Sequence, residues 1–114
     1  MTIEQQATDT VRIDQDRLWD SLSTLGEIGA YLDDETGLIG VRRLALTDED
    51  VAGRRLVLSW FRDAGLEVTL DRIGNVRARR SGLDDSLAPV VIGSHVDSVA
   101  TAGRFDGCLG VLGG

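Results

Sequence analysis

Residues 89–93, Pro-Val-Val-Ile-Gly, constrain this chain more than any other stretch, because they are apolar at consecutive positions and run directly into Gly93-Ser94-His95-Val96-Asp97-Ser98. A short run apolar on both faces predicts a strand buried inside a sheet, with something packed above it and below it. The chain's single histidine therefore falls at the end of that strand. In an extended strand end, residues two apart share a face, so His95 and Asp97 point together and Ser94 points away. A second carboxylate, Asp106, follows in Gly103-Arg104-Phe105-Asp106-Gly107, where the next helix is predicted to start.

The rest of the chain supplies cover for such a strand. From Asp14, a predicted N-cap, Leu18, Leu22, Leu25, Ile28 and Leu32 recur at steps of three and four, which predicts a helix over residues 15 to 30. Residues 33 to 46 carry Gly37 and Gly40 and no period, and read as an irregular loop approaching the site. Thr47-Asp48-Glu49-Asp50 predicts a capped second helix with Val51, Val57, Trp60, Phe61 and Ala64 inward and Gly65 as a left-handed end. Alternation in residues 66–70 and 76–79 around Gly74-Asn75 predicts a hairpin with one wet face, and residues 81 to 88 form a polar loop. Residues 1 to 13 carry no helical period and read as an N-terminal arm, with 14 to 114 as one domain portion.

Composition closes several alternatives. At 114 residues the chain is at most one small domain, and 42% hydrophobic with 27% charged residues is an ordinary globular composition. A net charge of -7 argues against nucleic acid, whose binding depends on basic side chains neutralising phosphates. The twelve basic residues are all arginine, and Arg77, Arg79 and Arg80, the densest group, read as a solvated strand end. One cysteine, Cys108, gives no internal disulfide, and no run is long and apolar enough to span a bilayer; with no signal-peptide pattern, a cytoplasmic location is the default expectation.

His95, Asp97 and Asp106 admit a metal reading and a plainer one. A metal-bound imidazole usually donates its second ring N–H to a carboxylate, a role for which Asp97 is placed, while Asp106 returns after a flexible loop to the same point. Against this, a lone histidine is more often a surface or hydrogen-bonded residue, and Asp106 alone would more often be a helix N-cap. Nucleophile readings fare worse. Ser94 and His95 are adjacent and diverge, and Cys108 beside His95 lacks any oxyanion-hole motif. Cys108 as a zinc ligand with His95 and Asp106 would strain one short loop.

The segments Gly-Ser-His-Val-Asp-Ser and Gly-Arg-Phe-Asp-Gly-Cys-Leu-Gly-Val-Leu-Gly-Gly resemble the N-carbamoyl-L-amino-acid hydrolase and allantoate amidohydrolase branch of the aminoacylase-like zinc metallopeptidases. Thr36-Gly37 to Arg43-Leu44, the Asp-Glu-Asp helix start, Ala64-Gly65-Leu66-Glu67-Val68 and Ile73-Gly74-Asn75-Val76 match in order and spacing, so the likeness runs from about residue 14. The resemblance implies an α/β fold, namely the N-terminal part of a mixed-sheet catalytic domain of the zinc-peptidase type. It implies two divalent metal ions, zinc or in some members manganese, with His95 a ligand of one, Asp106 bridging both and Asp97 a catalytic-site residue that orients His95. The remaining ligands, a general-base glutamate and the lid that makes a homodimer are expected downstream, so the 114 residues alone are expected to be inactive. The implied activity is hydrolysis of a linear amide or ureido C–N bond in a small-molecule substrate. An aminoacylase or dipeptidase-type enzyme, and a non-catalytic fragment or interaction module, are the rival expectations.

Overall fold

The computed structural model describes residues 11–114, so most of the predicted arm, residues 1–10, lies outside the described residues; 11–14 have no regular structure. Helix α1 spans Gln15–Glu27, and the Asp14 carboxylate accepts from the Arg17 amide at 3.0 Å, capping it as the sequence predicts. Its end comes three residues earlier than the leucine period implies. Gly29 turns left-handed at φ 82°, and the chain enters strand β1, Ala30–Leu32, which carries Leu32 off the helical face and leaves it exposed.

Strand β1 pairs antiparallel with β2, Ile39–Val41, with Tyr31 opposite Gly40. This hairpin lies where the sequence predicts a loop. Three-residue strands are too short to show a period, and the turn between them is built by the Thr36 hydroxyl bonding the Asp33 carboxylate and by Gly37 at φ 69°. A side chain at Gly40 would collide with the Tyr31 ring, so the glycine that reads as a loop signal is a strand residue under an aromatic.

Helix α2, Asp48–Asp63, agrees with its sequence reading at both ends. Thr47 Oγ1 accepts from the Asp50 amide at 3.3 Å, and Gly65 adopts φ 77°. Its inward face is rotated from the expectation: Val57 is buried, Trp60 and Phe61 pack against the core, but Val51 is exposed while Asp50 and Gly53 are buried. Asp50 turns inward because its carboxylate accepts from the Leu46 amide, 3.0 Å away, just before the helix.

Strands β3, Glu67–Leu70, and β4, Val76–Arg79, form the predicted hairpin in the register Val68 opposite Ala78 and Leu70 opposite Val76. Asp71 organises its turn, accepting from the amides of Ile73 and Asn75, and Arg54 of α2 donates to the Gly74 carbonyl at the tip. A last helix, α3, spans Cys108–Leu112.

The main correction concerns residues 89–93. Among the described residues they pair with no strand, and Val90, Val91 and Ile92 are exposed, Val91 by 83%. The sheets are two separate two-stranded hairpins. Burial gathers instead around Leu22, Leu25, Val57 and Cys108, where α1, α2 and the start of α3 meet.

Candidate metal centre

Residues 94–98 belong to no helix or strand, and their far end is held by the segment that follows β2. Ser98 donates its amide to the Arg43 carbonyl at 2.7 Å, and the Arg43 amide donates to Ser98 Oγ at 2.7 Å. Four residues on, Ala102 and Val41 exchange backbone hydrogen bonds as an isolated antiparallel bridge. With Arg42 Nε donating to the Ala100 carbonyl at 2.9 Å, the loop between the histidine and Asp106 is tied at three points to the end of β2 and the residues after it.

Helix α3 approaches the same segment through glycines. A Cβ on Gly114 would lie 2.8 Å from Ile92, one on Gly110 2.8 Å from Ser94, and one on Gly107 2.5 Å from the His95 ring. Gly107 also sits at φ 71°, a conformation that costs a side chain energy even in open space. With no side chain at 107, the turn brings Asp106 against the imidazole. Phe105 stacks on Trp19 of α1 with ring centroids 5.8 Å apart, which anchors the other side of that turn.

The three residues singled out from sequence therefore meet. His95 Nδ1 is 3.2 Å from the Asp97 carboxylate and 3.0 Å from the Asp97 carbonyl; His95 Nε2 is 3.5 Å from Asp106 Oδ2. Both groups beside Nδ1 are acceptors, so a neutral imidazole carries its proton there and turns the Nε2 lone pair toward Asp106. The side chains are open to solvent, Asp106 by 81%.

This donor pair fits a divalent cation. Two ligands each about 2.0–2.2 Å from a tetrahedral ion lie roughly 3.3–3.6 Å apart, and an imidazole nitrogen with a carboxylate oxygen suits zinc or manganese. Among the described residues no group of three or more His, Cys, Asp or Glu converges on one point. Two donors are fewer than the three that a catalytic zinc site takes from protein.

Cys108 stands apart from this pair. Its thiol is buried, accepts from the Arg43 guanidinium with Sγ 3.2 Å from Nη2, and is pushed up in pKa by burial, against the opposing pull of that cation. A thiol raised in pKa is a poor nucleophile near neutrality, and Ser94 packs on Gly110, so neither nucleophile reading finds support. Arg43, which holds that thiol, is what the sequence reading passed over. It is 1% exposed, yet in the sequence it is one of twelve arginines beside another, with nothing to mark it.

No family model matches the chain. It is 49% identical over 105 residues to an N-carbamoyl-L-amino-acid amidohydrolase of Pseudomonas sp. (strain NS671), covering 92% of this chain and 24% of that protein. It is 34% identical over 93 residues to allantoate deiminase 1 of Glycine max, covering 82% of this chain and 19% of that one. Its structure superposes with a TM-score of 0.81, at 52% identity, on a hydantoinase/carbamoylase family amidase from Burkholderia ambifaria, covering 91% of this chain and 24% of that one. The chain spans about a quarter of the length of these relatives or less. Over that span it is homologous to the hydantoinase/carbamoylase amidases and shares their mixed α/β fold, as the sequence resemblance implies.

Proposed function

We propose that this chain is part of the metal-binding catalytic domain of an amidohydrolase that cleaves a linear amide or ureido C–N bond, in an N-carbamoyl amino acid or an allantoate-type substrate. The observation that carries the reading is the convergence of His95 Nε2 and Asp106 Oδ2 at 3.5 Å, with Nδ1 held by Asp97, in a chain homologous to amidohydrolases over most of its length. His95 and Asp106 would hold the metal, Asp106 as the ligand shared between two divalent cations, zinc or manganese. Such cations supply Lewis acidity toward a carbonyl and acidify water. Asp97 keeps the His95 proton on Nδ1 and leaves Nε2 free to bind.

The same reading places further ligands, the general base and a lid that joins two subunits outside these 114 residues. It makes the partner a small molecule and the location cytoplasmic. Among the described residues no helix is long and apolar enough to cross a membrane. For the chain by itself the rival is a non-catalytic fragment: with the further ligands and the general base placed outside it, residues 1–114 in isolation should not turn over substrate.

The test uses a protein of the relatives' length that carries this sequence. Hydrolysis of an N-carbamoyl-L-amino acid or allantoate should depend on a chelatable divalent metal, and Asp106→Ala should abolish turnover and lower metal content. A fully metallated, active Asp106→Ala variant would refute the assignment. Turnover of N-acyl amino acids or dipeptides alone would move it to the aminoacylase or dipeptidase class.

A further inference from the structure

Arg43 is the most fully buried charged residue described, and among the described residues no carboxylate forms an ion pair with it. A guanidinium kept from water without a counter-ion is expensive unless its N–H groups are bonded. Four bonds account for it. Nη1 donates to the carbonyls of Leu25 at 2.9 Å and Ile28 at 2.7 Å, Nε to the carbonyl of Val96 at 2.8 Å, and Nη2 to Cys108 Sγ at 3.2 Å. The first two are carbonyls at the C-terminal end of α1, where the helix dipole presents partial negative charge; the Leu25 carbonyl also accepts from the Ile28 amide at 3.2 Å.

The other two acceptors flank the candidate centre. Val96 lies between His95 and Asp97, and Cys108 lies two residues after Asp106. The Arg43 backbone adds two bonds to Ser98. One residue thus ties the histidine segment and the start of α3 to the end of α1. Gly53 of α2 leaves room for it, since a Cβ there would lie 2.7 Å from Arg43 Cδ.

We propose that Arg43 is a positioning residue for the metal centre: its planar guanidinium fixes the separation of His95 from the Asp106–Gly107 turn by holding Val96 and Cys108 against a common helix end. This rests on the metal reading above for its functional meaning, but the positioning itself does not require metal. Lysine would carry the same charge with three donors at one point, and cannot span four acceptors arranged around a plane.

The 114-residue chain suits the test because His95 is its only histidine, so every imidazole signal belongs to the site. In the unsubstituted chain the His95 ring should show nuclear Overhauser contacts to the Gly107 α-protons, and Co²⁺ alone should shift the ring signals with a measurable midpoint. Arg43→Lys should lose the Gly107 contact and raise the Co²⁺ midpoint by roughly 10-fold, the lower end of what loss of a ligand-orienting partner costs. Val57→Ala, in the same core but outside both residues 94–98 and the set of groups that bond the guanidinium, is the control for stability. Measured where both variants are folded, it should keep the contact and the midpoint. Should Arg43→Lys fail to fold, Cys108→Ala removes the acceptor through which Nη2 holds the start of α3 and should weaken the same contact.

Retention of the Gly107 contact in Arg43→Lys, or in Cys108→Ala if that variant must stand in, overturns the proposal. So does an equal loss in Val57→Ala, which would make Arg43 a core residue like any other. If the unsubstituted chain shows the contact but takes no Co²⁺, its two donors do not suffice without further ligands, the metal reading is decided by Asp106→Ala in a protein of the relatives' length, and the contact still decides Arg43.

Discussion

Two regions of this chain are equally apolar in sequence and opposite in structure. Leu22, Leu25, Val57 and Cys108 are buried where α1, α2 and α3 meet, whereas Val90, Val91 and Ile92 lie in solvent. The first region supplies its own cover: two helices face one another, and the guanidinium between them has partners for its N–H groups. The second is approached at Ile92 by Gly114, just after α3, and among the described residues it is otherwise left exposed. An apolar run on both faces thus states a demand for cover, and other segments decide whether it is met. The candidate centre stands at the border, with His95 joining the uncovered segment to the pinned residues 96–98.

The comparison breaks most readily at its extremes. Leu25→Ala should destabilise the chain by about 2–5 kcal/mol, the range for truncating a buried leucine, and that is a large part of the roughly 5–15 kcal/mol that folded domains hold. Val91→Lys should change stability by less than about 0.5 kcal/mol, as an exposed substitution does. It should also reduce self-association in sedimentation, since an uncovered apolar edge is a template for pairing. Denaturant unfolding of both variants decides it: equal costs would mean that residues 90–92 are covered in solution.

At the border the expected effect is smaller and chemical. Asp97→Asn keeps an oxygen beside Nδ1 but removes its charge, and should weaken metal binding or activity by roughly 10- to 100-fold, recoverable with excess metal, in a protein of the relatives' length. Normal metal content with a collapsed rate would give Asp97 a direct part in the reaction. A pair of glycines then separates strain from contact. Gly65 and Gly107 both sit at positive φ, but only Gly107 has a neighbour where a Cβ would go. Gly65→Ala should cost about 1 kcal/mol, and Gly107→Ala about 1–3 kcal/mol with the His95 ring displaced. Equal costs and an unmoved ring would show that α3 does not hold the histidine.

What the sequence disclosed follows from the range over which each signal acts. Asp14, Thr47 and Gly65 are read correctly because caps are decided by residues within one turn, and the β3–β4 hairpin because Gly74-Asn75 sets a local turn. His95, Asp97 and Asp106 are brought together as their spacing suggests, and the motif resemblance led to the right relatives. The misses have different ranges. Strands β1 and β2 are too short for a period, Val51 is rotated outward because Asp50 turns in toward Leu46, and residues 89–93 form no strand and lie exposed. Arg43 is furthest from view, because its bonds reach residues 15 to 65 positions away in the chain.

The smallest expected effect separates hydrogen bonds that titrate from those that do not. Asp71 holds the β3–β4 turn, and its carboxyl is drawn below the usual range first by the Asn75 side chain, then by backbone amides including that of Asn75. Its folded pKa lies below the unfolded value of about 3.9, so the turn has this support in full above that pH. The support is lost as pH falls through the folded value, when a protonated carboxyl accepts more weakly. The partners of Arg43 are carbonyl oxygens and a thiol raised in pKa by burial, none of which ionises in acid. Acidification below about pH 4 should therefore lower the amide-exchange protection of Ile73 and Asn75 while leaving that of Ser98, whose amide bonds the Arg43 carbonyl, unchanged. Asp71→Ala should give the low-pH behaviour of the turn at neutral pH. A parallel fall at Ser98 would mean that the two regions open as one unit, and the contrast between a self-covered core and independently closed local structure would have to be abandoned.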